Sequence, residues 1–222
     1  MLLAIDTSTK WVGLALYDGI TVSSEQIWQT REHHTVELAM AVNHLLEQTG
    51  VQPVGINVLA VATGPGSFTS LRIGLALAKG MALALNVPLI GIPSLDVLVA
   101  AIPLGDYPLI AVLQAGRGRL AAVRYEVGSN GWQSVNQPLI CDIQGIFTMM
   151  DGLTMVAGEL NVEQRHLLSD RRKHILLASP AACLRRPSYL AELAWKRFTA
   201  GEYDDSPSLA PIYVHVAEAL PN

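Results

Sequence analysis

Cysteine is scarce in this chain. Cys141 and Cys183 are the only two, and neither a C-x-x-C pair nor a ladder of half-cystines is present. That excludes a disulfide-stapled secreted scaffold and leaves two reduced thiols of the kind cytosolic proteins carry. An excess of positive charge is also lacking: 15 Lys and Arg stand against 19 Asp and Glu, for a formal charge of −4 and a pI near 5.8. A protein that grips nucleic acid unaided normally shows a basic surface, so strong direct binding is disfavoured. The basic clusters Arg171-Arg172-Lys173 and Arg185-Arg186 are short and read first as solvated surface, second as a phosphate track. The opening MLLAIDTSTK has no basic region, and Asp6 interrupts its apolar run at once, so neither a signal peptide nor a membrane span is expected and the location is expected to be cytoplasmic.

Familiar catalytic signatures are missing too. The P-loop pattern G-x-x-x-x-G-K-S/T fails after both Gly64 and Gly74, and G-x-G-x-x-G is met by Gly64 and Gly66 but ends on Thr69. Gly66 and Ser67 are adjacent, so the G-x-S-x-G elbow of hydrolases is absent. The histidines, His33, His34, His44, His166, His174 and His215, include no pair three or four residues apart, the spacing that puts two imidazoles on one helix face. Side chains of the doublet His33-His34 diverge, which suits capping or surface contact better than ligation. Asp204-Asp205 reads as a solvated turn, and Glu47 and Glu159 have no obvious acidic partner. Asp6 is the one acid that invites a role, with two readings open: it caps its own turn, or it holds a ligand.

Apolar residues are abundant, half of the 222, ample for a sizeable core in one large or two small domains. They concentrate in Leu59–Leu85, LAVATGPGSFTSLRIGLALAKGMALAL. This stretch predicts a buried strand, a glycine-proline-glycine turn, and a helix of about five turns entered at Ser67 or Phe68. Gly64 and Gly66 suit backbone angles closed to other residues, and Ser67 suits an N-cap. Amide N–H groups at such a turn would face one spot, where an anion or a carboxylate is held. From Leu71 to Leu85 only Arg72 and Lys79 are charged, so apolar side chains surround most of the helix. Gly74, Ala78 and Ala82 make a smooth strip at spacing four. Either the helix lies wholly inside its own domain, or it is shared between two chains, with Ala78→Arg then expected to abolish pairing and spare the fold.

The remainder reads as α/β. Leu2 to Ile5, Trp11 to Tyr17 and Ile20 to Trp28 predict three strands in meander, followed by a helix over Thr35 to Gln48 and a strand over Ile56 to Thr63. After the long helix come a strand at Pro88 to Ile92 and a helix from Ser94. Pro103, Gly105 and Pro108 then mark a boundary near residue 105, giving lobes 1–105 and 106–222. The second lobe repeats the first weakly: strands at Leu109–Gln114, Leu120–Val127 and Trp132–Ile140, a helix at Asp142–Met150, a strand at Leu153–Ala157, and helices at Val162–Leu168 and Ser188–Ala200.

LLAIDTST at the start, HHTVEL before the first helix, ATGPGSFTSLRIGLALAKGMALAL, PLIGIPSLDVL and the closing LAPIYV together resemble the TsaB (YeaZ) family, over nearly the whole chain. Its members are non-catalytic partners in the bacterial machinery that makes threonylcarbamoyladenosine in tRNA. The resemblance implies a duplicated actin-like α/β fold, related to sugar kinases and heat-shock chaperones, with a smaller second half. It implies a first phosphate-binding turn at Asp6 to Thr9. Asp6, Thr7 and Ser8 are therefore candidate nucleotide or anion contacts, together with Gly64, Gly66 and Ser67 of the glycine turn. It further implies pairing through the two helices after the meander, with a second copy or with the catalytic paralogue TsaD; candidate interface residues are Val36, Met40, Leu71, Gly74, Leu75, Ala78 and Ala82. TsaE as a further partner, tRNA met only through the complex, no cofactor bound alone, and ATP or ADP at the joint interface complete what is implied. The H-x-x-x-H metal site of TsaD-like chains is absent here, Gln114-Ala115-Gly116-Arg117 stands where relatives read Asp-Ala-Arg, and the adenosine-side glycine pair is reduced to Ala157-Gly158. The resemblance thus implies a scaffold; the rival reading is an actin-like ATPase or peptidase acting alone through Asp6 and the GPGS turn.

Overall fold

Leu2, Leu3, Ala4 and Ile5 are all fully buried, and a strand hides consecutive side chains only when both faces of its sheet are covered. β1 (Leu2–Asp6) is accordingly the middle strand of a five-stranded sheet in the computed structural model. The structure describes residues 1–30, 34–116, 118–171 and 173–214, and of 34–36 the backbone alone. β2 (Trp11–Tyr17) and β3 (Val22–Gln29) complete an antiparallel meander, while β4 (Val58–Ala62) and β5 (Leu89–Ile92) extend the other side in parallel. The order is β3-β2-β1-β4-β5. Parallel neighbours need long crossovers. α2 (Phe68–Leu85) supplies the one between β4 and β5, and α1 (His34–Thr49) carries the chain from the edge strand β3 across to β4.

Side-chain alternation sorts this sheet into two faces. Leu3, Ile5, Leu14, Leu16, Leu59 and Val61 pack beneath α1 and α2. Leu2, Ala4, Ala15, Val58, Ala60 and Ala62 pack against α6 (Pro187–Thr199). The alanines allow a close approach, and a Cβ on Gly13 would stand 3.1 Å from the Pro187 ring.

A second sheet repeats the plan. β6 (Leu109–Gln114) follows α3 (Ser94–Ala100) and pairs antiparallel with β7 (Leu120–Gly128), which pairs in turn with β8 (Gly131–Ser134) and β9 (Leu139–Cys141). After α4 (Ile143–Thr148), β10 (Thr154–Gly158) lies parallel to β6; after α5 (Val162–Ser169), β11 (Ile175–Leu177) lies parallel to β10. The order β8-β7-β6-β10-β11 matches the first sheet position for position, so the fold is the duplicated α/β one expected.

Three expectations need correction. The strand expected at Trp132–Ile140 is two pieces, because Asn136 Oδ1 takes the Arg124 N–H in place of a backbone carbonyl and Pro138 has no N–H to donate. β11 was not foreseen, since three residues leave no periodicity to read. Nor do the contacts follow a single division near residue 105: one unit holds Met1–Val97 with Arg185–Ile212, the other Leu98–Leu184. The reason is α6, whose apolar stripe of Leu190, Ala191 and Ala194 covers the otherwise bare second face of the first sheet.

A charged clamp holds the start of α6. Glu25 on β3 accepts hydrogen bonds from Arg186 at 3.0 Å and from the Ser188 N–H at 3.0 Å. Burial alone would raise the Glu25 carboxyl, but these bonds outweigh it and hold the group below the usual range. A depressed acid contributes stability above its unfolded pKa and loses it as pH falls through the folded value. Glu25→Gln is therefore expected to lower the melting temperature at neutral pH, with the difference from wild type shrinking as pH falls below about 4. A difference that persists unchanged at low pH would count against the clamp.

Among the described helices α2 alone is long and apolar enough to cross a membrane. Its inner side lies on the sheet, as a core helix does.

Candidate functional site

β1 ends in Asp6-Thr7-Ser8-Thr9, whose polar side chains are pulled inside: Asp6 is 1% exposed, Thr7 and Ser8 not at all. Every one of them is engaged. The Ser8 N–H donates to Asp6 Oδ1 at 2.8 Å, and Arg185 Nε donates to Asp6 Oδ2 at 2.9 Å. A second Arg185 nitrogen donates to Thr9 Oγ1 at 3.0 Å. Thr7 Oγ1 donates to the Ser70 carbonyl at 2.7 Å, and the Ser8 and Ser94 hydroxyls bond each other.

The glycine turn closes over this cluster. Gly64 has φ +106°, its N–H donates to Ser94 Oγ at 3.0 Å, and its carbonyl accepts the Ser94 N–H. Gly66 is required for space and not for its angle: a Cβ there would fall 2.1 Å from the Ser8 carbonyl oxygen, to which the Ser67 N–H donates at 2.6 Å. Ser67 caps α2 as expected, accepting from Ser70. The structure thus brings Asp6, Thr7, Ser8, Gly64, Gly66 and Ser67 together, as the sequence suggested, but as a self-satisfied joint. Of the two readings of Asp6, the ligand role finds no open acid, because the buried guanidinium of Arg185 already stands against it. The groups present do not fit a magnesium-nucleotide in this conformation. Arg185, buried and 179 residues away in sequence, gave no signal beyond a basic doublet that reads as solvated surface.

In the second unit the corresponding hairpin is closed as well. The Gln114 amide donates to the Glu159 carbonyl and to Gln164 Oε1, both at 2.9 Å, and Gln164 also caps α5 with Asn161. Gly158 has φ +131°, and its N–H donates to Cys183 Sγ. Neither cysteine is poised as a nucleophile. Burial, then the Asp142 charge, pushes Cys141 up to about 11; burial pushes Cys183 up despite the Gly158 bond.

The outer face of α2 differs. Leu71, Gly74, Leu75, Ala78 and Ala82, expected at a partner interface, are buried in their own unit. Leu75, Ala78 and Ala82 pack on the sheet, and a Cβ on Gly74 would meet Thr7 Oγ1 at 2.2 Å. The helix is apolar all round, so spacing alone gave no phase. Facing away are Phe68 (52% exposed), Arg72, Ala76, Gly80, Leu83 (84%) and Ala84. Ala76, Gly80 and Ala84 form a second strip of small residues at spacing four. A groove of about 450 Å³ separates α2 from α1, lined by Leu38, Ala39, Phe68, Thr69, Arg72, Ile73, Ala76 and Leu77. The Arg72 guanidinium lies 3.7 Å over the Phe68 ring at its mouth. Met40 on α1 is 68% exposed; the side chain of Val36 lies outside the described residues, as do His33 and His215.

Comparison with known proteins gives this geometry a family. Residues 24–166, more than half the chain, match the family described as TsaD: tRNA N6-adenosine threonylcarbamoyltransferase. The tRNA threonylcarbamoyladenosine biosynthesis protein TsaB of Bacillus subtilis is 29% identical over 98% of this chain and 95% of its own. Its Escherichia coli counterpart is 34% identical over 59% and 57%. A solved Pseudomonas aeruginosa structure, described as an uncharacterized protein with similarity to peptidase YEAZ, shares the fold at a TM-score of 0.80 and 21% identity, covering 96% of this chain and 99% of its own. With the β3-β2-β1-β4-β5 plan built twice and the family match spanning the first crossovers, the chain belongs to the tRNA N6-adenosine threonylcarbamoyltransferase family and, within it, to the TsaB proteins of threonylcarbamoyladenosine biosynthesis.

Proposed function

We propose that the chain is a cytoplasmic, non-catalytic subunit that docks TsaD through the outer faces of α1 and α2 and supports TsaD as it transfers threonylcarbamoyl to the adenosine beside the anticodon. One observation carries this reading: the exposed strip of Ala76, Gly80, Leu83 and Ala84 beside the apolar groove. Gly80 is its most telling member. A Cβ there would meet nothing within 4 Å, so the chain itself has no need of glycine in mid-helix, where it is worth about 1 kcal/mol less than alanine. A backbone lying against that strip has such a need. Covering about 800 Å² per partner is the usual size of a stable contact. In the absence of TsaD a second copy takes the same face, TsaE joins through the complex, and tRNA is met only there. Any ATP or ADP is placed at the joint surface, since the Asp6 turn has its polar groups engaged.

Ala76→Arg tests this. The variant is expected to keep the wild-type melting temperature, as surface substitutions do within about 0.5 kcal/mol. Its affinity for TsaD in size-exclusion chromatography should fall at least about a hundredfold, and tRNA modification with it. A folded variant that still co-elutes with TsaD would remove the interface assignment.

A further inference from the structure

Four of the 15 Lys and Arg residues, Arg165, Arg171, Arg172 and Lys173, fall within residues 161–178, against two acids, Glu163 and Asp170. That stretch carries a formal +2 while the rest of the chain carries −6, the two making up the net −4. The fold concentrates it further. Behind α5 the chain makes a tight turn in which the His174 N–H donates to the Arg171 carbonyl at 2.9 Å, leaving Arg171, Lys173 and His174 exposed together. The Arg171 guanidinium lies 4.0 Å over the ring of Phe147 on α4, a stack that fixes the group without neutralising it. Arg124, Arg185, Arg186 and Arg197 are all taken up in ion pairs. Arg171 and Lys173, by contrast, make none among the described residues.

We propose that this turn is a phosphate-backbone contact for the tRNA inside the assembly, with Arg171 and Lys173 each set against one phosphate and His174 beside them. The inference rests on the function proposed above, which brings the chain and the RNA into one complex. A polyanion rewards a small cluster of uncompensated cations with counterion release, and the acidic remainder of the chain keeps the contact too weak to hold RNA alone. An acidic protein segment would be the other taker of such a turn, and the test separates the two.

The full chain carrying Arg171→Gln and Lys173→Gln is assayed with TsaD, TsaE and a tRNA transcript over a range of salt. The expected result is a KM for tRNA raised roughly fivefold to tenfold with kcat unchanged, and a salt slope of log kcat/KM shallower by about 2. Co-elution with TsaD stays as in wild type. Lys173→Gln alone, on an exposed side chain with no ion pair among the described residues, should give about half the slope change. Unchanged KM and slope with co-elution intact would overturn the inference alone. Lost co-elution or loss of TsaE response in the variant would mark the turn as a protein contact and overturn it equally. Failure of the wild-type chain to co-elute with TsaD would overturn the proposed function, and this inference with it.

Discussion

Arg185→Ala is expected to destabilise the chain by about 3–5 kcal/mol, a drop on the order of 10 °C in melting temperature for a protein of this size. Both side chains of the Asp6–Arg185 pair are 2% exposed. Removing the guanidinium leaves a carboxylate buried at the end of the central strand, with the Ser8 N–H still donating to it. The loss also removes a hydrogen bond from Thr9 at the point where the chain returns to the first sheet ahead of α6. A buried pair stabilises little by its presence and penalises heavily when halved. The double variant Asp6→Asn with Arg185→Met should therefore recover most of the loss. Thermal melts followed by circular dichroism measure both. A single-variant loss under about 1 kcal/mol would show that the pair does not anchor the turn.

Ala78→Arg should do greater damage, above about 4–5 kcal/mol. Ala78 is fully buried between α2 and the sheet, among Leu75, Ala82, Leu59 and Val61, where a guanidinium has neither room nor a partner. The variant is expected to be unfolded or insoluble. Two residues away, Ala76→Arg points to solvent and should fold normally. The contrast reads the rotation of α2 about its own axis, and a folded Ala78→Arg chain that merely fails to pair would mean the helix is turned the other way round.

Several elements were legible because local chemistry is strong there. Ser67 as a cap, the α2 span to Leu85, and the opening meander follow from capping, length and alternation. The choice between a helix wholly internal and one shared was not legible, since Leu, Ile and Met occupy nearly every side of α2. Its small residues made two strips, Gly74-Ala78-Ala82 and Ala76-Gly80-Ala84, and the sequence offered no reason to prefer the second. What distinguishes them is a neighbour: Thr7 stands 2.2 Å from a Cβ on Gly74, and nothing stands near Gly80. Likewise the polar turn at Asp6 was visible, whereas its counter-charge was not, because ion pairing across 179 residues leaves no local pattern.

The sequence by itself determined the α/β class, the doubled order of elements and the family, since hydrophobic period, caps and long motifs are written in neighbouring residues. Only the tertiary structure decided which side of α2 faces the sheet, that Arg185 locks the Asp6 turn, and that α6 crosses back to cover the first sheet. These are matters of burial and of charges meeting at a distance, and they exist only once the chain has closed on itself.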